Sequence, residues 1–344
     1  MKTKVLVALL ALATCTAALH ALSEPAAWAQ GLRLSCPIDP DALKERLSFA
    51  RGEAQEVEPW PRLIRYTGRE FDFRTATFKE QTRSFLVRRK PSRILAHSVG
   101  VTEILWAICP RERIVAFSEL AADPSFSFIA SSVRERGPLA NLQDAELVIG
   151  CRPDLVFTVF YSSADVKKKL AQARVTFLDL GYFGTVDSLR EQILLIGEAI
   201  GEEGNAQALV RVMDEAIDEI RRARPGGRRP PRVLYLDANG YVPGKTTNFS
   251  SICEIIGAVN VSEEQGVTSW AQIDYETILK WDPDFILFST GSGLGRRIAS
   301  DRLLAHARAV KEGNIHPIAG VYICADSQFL VLSANALAGI VYGK

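Results

Sequence analysis

Polar and aromatic side chains directly follow the apolar runs of this sequence, at the points where buried strands are expected to end. Ligands bind at the carboxyl ends of the strands in open parallel sheets. A bulky organic ligand needs apolar contact area and a few polar groups that orient it. The sequence therefore predicts a ligand site, although each tyrosine taken singly could instead cap a core. The residues predicted from this pattern are His97, Ser98, Ser118, Tyr161, Tyr182, Phe183, Tyr241, Asp326 and Gln328.

Motifs of catalysis and of metal binding are scarce in the chain. No strand is followed by a GxGxxG motif, and P-loop, GxSxG and HExxH motifs are absent. No cysteine pair has the CxxC spacing of a zinc site. An enzyme would need a positioned acid–base pair, and only His97 with Asp326 could be nominated for one. The sequence therefore predicts binding rather than catalysis, with no resident metal or cofactor.

Short apolar runs alternate with helical patterns from residue 93 onward. Strands separated by helices predict parallel βαβ units with helices on both faces of the sheet. The pattern occurs twice, which predicts an α/β fold of two doubly wound parallel-sheet lobes. The predicted strands are 93–97, 114–117, 154–158, 175–179, 233–236, 285–288 and 315–318, and the predicted helices include 101–107, 250–256, 275–281 and 328–342.

An internal repeat supports a duplicated architecture. Glu146 precedes Pro153-Asp154 by the same spacing by which Glu276 precedes Pro283-Asp284, and each motif continues into an apolar run. This is the pattern of a helix that is ended by proline and followed by a parallel strand. The expected organisation is a signal peptide (1–29), an N-terminal extension with a hairpin-like stretch at 63–88 (30–90), a first lobe (91–184), a long connecting helix with a break at 201–204 (185–224) and a second lobe (225–344).

The N-terminus has the pattern of a signal peptide. Lys2 and Lys4 precede an apolar run at 5–19 that is short for a membrane span of about 20 residues. Ala27-Trp28-Ala29 fits a cleavage site, so we expect export to the periplasm with cleavage after Ala29, and lipid attachment at Cys15 is the alternative. The 41 basic residues nearly balance the 40 acidic ones, which argues against a nucleic-acid partner.

Over about residues 90–344 the chain resembles the helical-backbone (class III) substrate-binding proteins of ABC importers. Members of that family capture ferric siderophores, haem or cobalamin. The segments that carry the resemblance occur in the family's order and spacing behind a signal peptide. They are Arg93–Glu103, Asn141–Val156, Gly257–Asn260, Trp270–Asp284 and Ala309–Gly313.

The resemblance implies two lobes bridged by a rigid helix, with a ligand cleft between the lobes and a metal chelate as the ligand. It implies that Trp270 lies near this cleft, and it aligns Asp326 with a cleft acid of cobalamin binders. The aromatic residue that cobalamin and haem binders carry just before the position of Asn141 is missing here. The ligand therefore stays open between an iron chelate and a corrinoid.

The resemblance also implies docking on the importer permease through one acidic residue on each lobe. Glu146 falls on the first-lobe position, and Glu254, three residues before Gly257, falls on the second, where Glu276 is the competing candidate. A monomer is expected. Two other functions stay open: a sensor or scaffold of the same fold that binds no solute, and a periplasmic enzyme that acts on a tetrapyrrole or metal chelate.

Overall fold

The computed structural model describes residues 35–53, 59–72, 77–136, 139–140, 142, 144–227 and 229–343. Its contacts divide the chain into two compact units. Of the described residues, those within Lys44–Asp214 and Ala325–Phe329 form the first unit. Those up to Leu43, within Glu215–Cys324 and from Leu330 onward form the second. The predicted signal peptide, Cys15 and Asn141 lie outside the described residues.

Helices and strands alternate along most of the chain. The α-helices are α1 (Pro40–Ser48), α2 (Val99–Ile108), α3 (Ala130–Arg136), α4 (Ala145–Gly150), α5 (Ala164–Gln172), α6 (Val186–Ile200), α7 (Glu203–Arg222), α8 (Asn248–Ile256), α9 (Val261–Glu264), α10 (Tyr275–Trp281), α11 (Leu294–Ser300), α12 (Arg308–Lys311), α13 (Gly320–Ile323) and α14 (Leu330–Tyr342). The strands are β1 (Arg62–Asp72), β2 (Thr77–Val87), β3 (Ile94–Ala96), β4 (Phe117–Ser118), β5 (Leu139–Ala140), β6 (Leu155–Thr158), β7 (Phe177–Asp179), β8 (Arg232–Leu236), β9 (Tyr241–Pro243), β10 (Val259–Asn260), β11 (Trp270–Gln272), β12 (Phe285–Ser289) and β13 (Ile315–Ile318).

The parallel sheet of the first unit has the strand order β3-β6-β7. Every residue of β3 and β6 is buried, as expected of strands that are covered on both faces. The predicted strand 114–117 forms only in part. Val115 N donates to Ile94 O (3.0 Å) beside a single bridge at Ile114, and the chain then pairs through β4 with β5 instead. The predicted strand is therefore divided between a single bridge to β3 and the short pair β4–β5.

Capping side chains fix where the helices of the first unit begin. Ser98 Oγ accepts Val101 N (3.2 Å) at the start of α2. At the start of α6, Thr185 and Ser188 bond each other's backbone nitrogens in a capping box. Such bonds satisfy N–H groups that a helix cannot pair internally.

The antiparallel hairpin β1–β2 precedes the parallel sheet, as the pattern at 63–88 predicts. Its side chains alternate between two faces, because successive residues of a strand point in opposite directions. Ile64 is fully buried, whereas Leu63 and its cross-strand partner Leu86 are exposed. The hairpin therefore covers part of the first unit with one face and presents the other to solvent.

Two helices, α6 and α7, occupy the segment predicted as a connecting helix. Gly201 ends α6 with a φ of 70°, a left-handed conformation that glycine adopts without steric cost. The chain therefore breaks within the predicted stretch 201–204. Arg190 on α6 pairs with Asp214 on α7 (2.6 Å), and both residues belong to the first unit.

The second unit is built on a four-stranded parallel sheet with the order β10-β8-β12-β13. Leu234, Ile278 and Ile286 are fully buried in its core. Helix α14 is buried on nearly all sides, as expected of a helix without a polar face. Its Asn335 accepts Ile38 N (3.0 Å) and donates to Ile38 O (2.8 Å), which ties the start of the described chain to this helix.

The internal repeat is a repeat of geometry as well as of sequence. The residue before the proline is left-handed in both copies, with φ values of 50° at Arg152 and 44° at Asp282. Few residues other than glycine adopt this conformation, so its occurrence before both prolines is a specific property of this turn. In each unit the chain leaves a short helix through this turn and enters a strand of the parallel sheet, β6 or β12.

The aspartate after each proline fastens the neighbouring strand. Asp154 accepts Arg93 N (2.9 Å) and donates its own N–H to Arg93 O (2.8 Å). Asp284 accepts Arg232 N and donates its N–H to Arg232 O, both at 2.8 Å. The two units therefore begin adjacent parallel strands with the same pair of bonds.

Among the described residues, no helix is both long and apolar enough to cross a membrane. No disulfide joins the five cysteines of that part of the chain.

Candidate functional site

Three aromatic rings cluster at the carboxyl ends of β6 and β7 in the first unit. Phe160 lies edge-on to Tyr161, with ring centroids 5.0 Å apart, and edge-on to Tyr182, with centroids 4.9 Å apart. Phe160 N donates to Gly181 O (3.1 Å), which joins the two strand-end loops through the backbone. All three rings are half-buried. The cluster supplies apolar area beside two phenol groups, which suits a large organic ligand.

Phe160 is the member of this cluster that is not among the predicted site residues. Its position immediately before Tyr161 was the available signal. The structure also brings Tyr161 and Tyr182 together, as their predicted strand ends require.

Charged groups beside the cluster are paired with one another. Asp179, the last residue of β7, accepts Lys167 Nζ at 2.9 Å and Thr158 Oγ1 at 3.2 Å. Arg83 of the hairpin lies 3.7 Å from the same carboxylate. The aromatic rings therefore stand next to one carboxylate that two cations face, rather than next to a lone cation or anion.

His97, Ser98 and Ser118 follow the strand ends as predicted, and each has a partner within the first unit. His97 Nδ1 lies 2.9 Å from Ser162 Oγ. Burial lowers the pKa of His97, so the ring is neutral at pH 7. Ser98 caps α2, and Ser118 Oγ accepts Leu120 N (3.2 Å). His97 and Ser98 are almost fully buried, whereas Ser118 is half-buried.

Glu103 of α2 is a buried carboxylate that the sequence pattern did not reveal. Its Oε1 accepts Ser127 Oγ (3.0 Å) and Phe128 N (2.8 Å), and its Oε2 accepts Ser327 Oγ (2.5 Å). The side chain is fully enclosed, and burial raises the pKa of Glu103 to about 7 although three donors face it. This carboxyl therefore changes charge near neutral pH.

The segment Ala325–Phe329 places Asp326 and Gln328 in the first unit. Gln328 is fully buried, and its Nε2 donates to Glu103 O (2.9 Å). Asp326 is half-buried, and its backbone O approaches Gly100 so closely that a Cβ there would lie 2.2 Å away. Of these two residues, Asp326 has the more accessible side chain. Phe183, after β7, is buried at 7% exposure.

In the second unit, Tyr241 and Trp270 lie on one two-stranded ribbon. Strands β9 and β11 are antiparallel, with Gln272 opposite Tyr241. Residues two apart on a strand share a face, so Trp270 and Tyr241 lie on the same face of this ribbon. Both side chains are half-buried. Tyr241 N donates to Asp237 Oδ1 (2.7 Å), which fixes the turn before β9.

The two predicted docking residues are exposed on helices. Glu146 lies in the first turn of α4, and Glu254 lies near the end of α8. The carbonyl of Glu254 accepts Arg224 Nη2 (2.7 Å), so its backbone is fixed while its side chain faces solvent. Glu276 occupies the first turn of α10, the place in the second unit that matches Glu146 in the internal repeat.

No group of three or more His, Cys, Asp or Glu side chains within the described ranges could hold a metal ion.

Residues 94–319 match the model of the periplasmic binding protein family. This match spans most of the chain and both parallel sheets, so the protein belongs to the periplasmic binding protein family. The resemblance inferred from the sequence and the α/β fold class are confirmed.

The chain is also similar to individual family members. It is 27% identical over 213 residues to an uncharacterized ABC transporter substrate-binding lipoprotein of Bacillus subtilis, covering 60% of this chain and 66% of the relative. It is 25% identical over 227 residues to a cobalamin-binding protein of Halobacterium salinarum, covering 64% of this chain and 58% of the relative. The chain thus spans less than two thirds of the length of these relatives.

A solved structure shows the same fold. A possible iron-binding, periplasmic solute-binding protein of Staphylococcus epidermidis superposes with a TM-score of 0.66 at 21% identity. The superposition covers 74% of this chain and 100% of that protein.

Proposed function

We propose that the protein captures a metal chelate, either an iron chelate or a corrinoid, and delivers it to the permease of an ABC importer. The aromatic cluster of Phe160, Tyr161 and Tyr182 is the observation that carries this proposal, because it presents apolar area at the strand ends where α/β sheets bind ligands. Family membership and the functions named for the two relatives support it. The protein acts by binding, and the ligand leaves chemically unchanged.

Each unit contributes residues of its own to this function. In the first unit, Tyr161 and Tyr182 desolvate the apolar part of the chelate, and Ser118 and Asp326 offer polar contacts. In the second unit, Tyr241 and Trp270 supply aromatic contacts from one ribbon face. The residues His97, Ser98, Phe183 and Gln328 are buried, so in this proposal they support the site from within the first unit.

The protein is exported to do this work and acts as a monomer. Residues 1–29 direct the export and are removed after Ala29 in this proposal. The mass of the protein recovered from the periplasm tests the cleavage point. A mass that includes a lipid on Cys15 would contradict it.

Ligand titration tests the capture step. We expect saturable one-to-one quenching of tryptophan fluorescence by one class among ferrioxamine B, haemin and cyanocobalamin. Replacing Tyr161 or Tyr182 by leucine removes an aromatic contact and should weaken binding about tenfold. Tyr342→Leu, at a half-buried tyrosine that ends α14, is the matched control and should bind normally. Absence of binding by the unaltered protein to all three probes, confirmed by native mass spectrometry, would contradict the proposal.

Docking is tested separately from capture. We propose that Glu146 and Glu254 contact the permease, so Glu146→Gln with Glu254→Gln should abolish stimulation of the reconstituted importer's ATPase and leave ligand affinity unchanged. Glu276→Gln is the matched control, because this exposed glutamate occupies the corresponding helix turn of the repeat. Loss of stimulation with Glu276→Gln and not with Glu254→Gln would move the second docking residue to α10.

A further inference from the structure

The β1–β2 hairpin lies before the segment 94–319 that matches the family model, yet it contacts the predicted ligand site of the first unit. Tyr182 N donates to Arg69 O of β1 (2.9 Å). Tyr66 Oη donates to Asp179 O (3.2 Å), three residues before Tyr182. The loop that carries one ring of the aromatic cluster is therefore bonded to the backbone and side chains of the hairpin.

The loop after β7 approaches β1 so closely that no side chain fits at Gly181. This glycine has a φ of 70°, and a Cβ built on it would lie 2.3 Å from Arg69 O. Both the backbone conformation and the contact therefore require glycine. Gly181 also accepts Phe160 N, so the same residue joins the hairpin to the loop of β6.

Side chains on both strands hold the hairpin in this place. Arg69 pairs with Glu191 of α6 (2.8 Å) and with Glu80 across the hairpin (2.7 Å). Arg83 of β2 pairs with Glu70 and lies 3.7 Å from Asp179. These contacts run from α6 through the hairpin to the end of β7.

Arg62 anchors the first residue of β1 more deeply. It is buried, and its Nη1 donates to Glu198 O (3.0 Å) and to Glu203 Oε1 (2.5 Å). The hairpin is thus fixed at its base and along its length, while its opposite face, with Leu63, Arg65 and Leu86, remains exposed. Ile64, Tyr66 and Arg83 lie on the inward face, whereas Arg69 reaches Glu191 from the face that carries Leu63 and Arg65.

We propose that the β1–β2 hairpin is a positioning element of the ligand site. By holding the Gly181–Tyr182 backbone, it fixes the orientation of Tyr182 and, through Phe160, of the whole aromatic cluster. Ligand affinity then depends on residues that make no contact with the ligand. The inference rests on the proposed function, because it concerns the same cluster.

Two variants of the contact test this inference. Gly181→Ala forces the loop away from Arg69 O, and Arg83→Ala removes the charge that faces Asp179. The matched controls are Gly226→Ala, where a Cβ meets nothing within 4 Å, and Arg65→Ala on the exposed face of the same hairpin. Haemin, cyanocobalamin and ferrioxamine B serve as probes, and hydrogen exchange reports the amides of Phe160 and Tyr182.

We expect Gly181→Ala to speed exchange at both amides and to weaken binding of the preferred probe about tenfold, the loss of roughly one hydrogen bond. Arg83→Ala should act in the same direction by a smaller factor, and it keeps the test available if Gly181→Ala does not fold. Both controls should match the unaltered protein. Faster exchange with unchanged affinity would overturn the inference alone, whereas an unaltered protein that binds no probe would overturn the proposed function with it.

Discussion

Glu103 provides the sharpest test of the energetics of the first unit. Its carboxyl is fully enclosed, and burial raises its pKa from 4.5 to about 7. The fold therefore favours the protonated form. Glu103→Gln replaces the carboxyl by a neutral group of the same shape, whose oxygen can still accept Phe128 N and whose amide can donate to Ser327 Oγ.

The size of the effect follows from linkage between proton binding and folding. Between pH 4.5 and pH 7 the folded protein binds more protons at Glu103 than the unfolded chain does, so stability falls as the pH rises. A shift of this size corresponds to about 3 kcal/mol, at roughly 1.4 kcal/mol for each pKa unit. This stability is fully present below the unfolded pKa and is lost once the pH exceeds 7.

Urea unfolding of the full chain at a series of pH values measures this effect. Because the chain has two units, the transition that reports the first unit must be followed. Hydrogen exchange of the α2 amides around Trp106 at each urea concentration serves this purpose. We expect the variant and the unaltered protein to be similar below pH 4.5. Above pH 7 the variant should be more stable by up to about 3 kcal/mol. Glu119→Gln, at an exposed glutamate of the same unit, should leave the pH profile unchanged.

A variant whose stability stays parallel to that of the unaltered protein from pH 4.5 to pH 8 would refute this reasoning. It would mean that the three donors around Glu103 stabilise the ionised carboxylate as much as burial destabilises it. A variant that is less stable than the unaltered protein at high pH would refute it more strongly, because the buried charge would then be favourable.

Three further predictions concern the second unit. Burial alone would raise the pKa of Asp284, but hydrogen bonds from two arginines and a backbone N–H lower it. The stability that these bonds give should therefore be lost in urea unfolding as the pH falls below 3.8. Asp284→Asn should lower the free energy of unfolding by about 2 kcal/mol at pH 7. Asn335→Ala leaves the half-buried N–H and carbonyl of Ile38 without the side chain of Asn335 as their partner. It should cost about 2 kcal/mol in the same measurement, and a loss below about 0.5 kcal/mol would contradict the prediction. Burial raises the pKa of Cys253, so its thiol should react only after unfolding, whereas exposed Cys324 should react first. Mass spectrometry after treatment with a thiol reagent measures both rates. Equal rates would contradict the burial of Cys253.

Much of the fold could be predicted from the sequence because its signals are local. Strands β3, β6, β8 and β12 are short apolar runs, and the Pro-Asp repeat marks where β6 and β12 begin. The carboxylates of Asp154 and Asp284 act on strands that lie next to them in the sheet, so one motif predicts one geometry twice. The strand at 114–117 was harder, because its pairing depends on which partner strand the chain meets after Val115.

The candidate site was predictable only in part, because its contacts join distant segments. Tyr161 and Tyr182 carry the signal of aromatic residues after apolar runs. Glu103 carries none, since its partner Ser327 is 224 residues away and an isolated glutamate on a helix is usually exposed. The bond between Tyr182 N and Arg69 O is equally invisible, because it involves a carbonyl that every residue possesses.

The assignment of Ala325–Phe329 to the first unit has a consequence for how the gene can be cut and recombined. The chain passes from one unit to the other at residues 43–44, 214–215, 324–325 and 329–330, so neither unit is encoded by one uninterrupted stretch. A stop codon after Cys324 would remove α14 from one core and the hydroxyl of Ser327 from the Glu103 carboxylate of the other. Exchange of one unit between homologous genes would accordingly need several simultaneous crossovers. Recombination is therefore expected to transfer both units together.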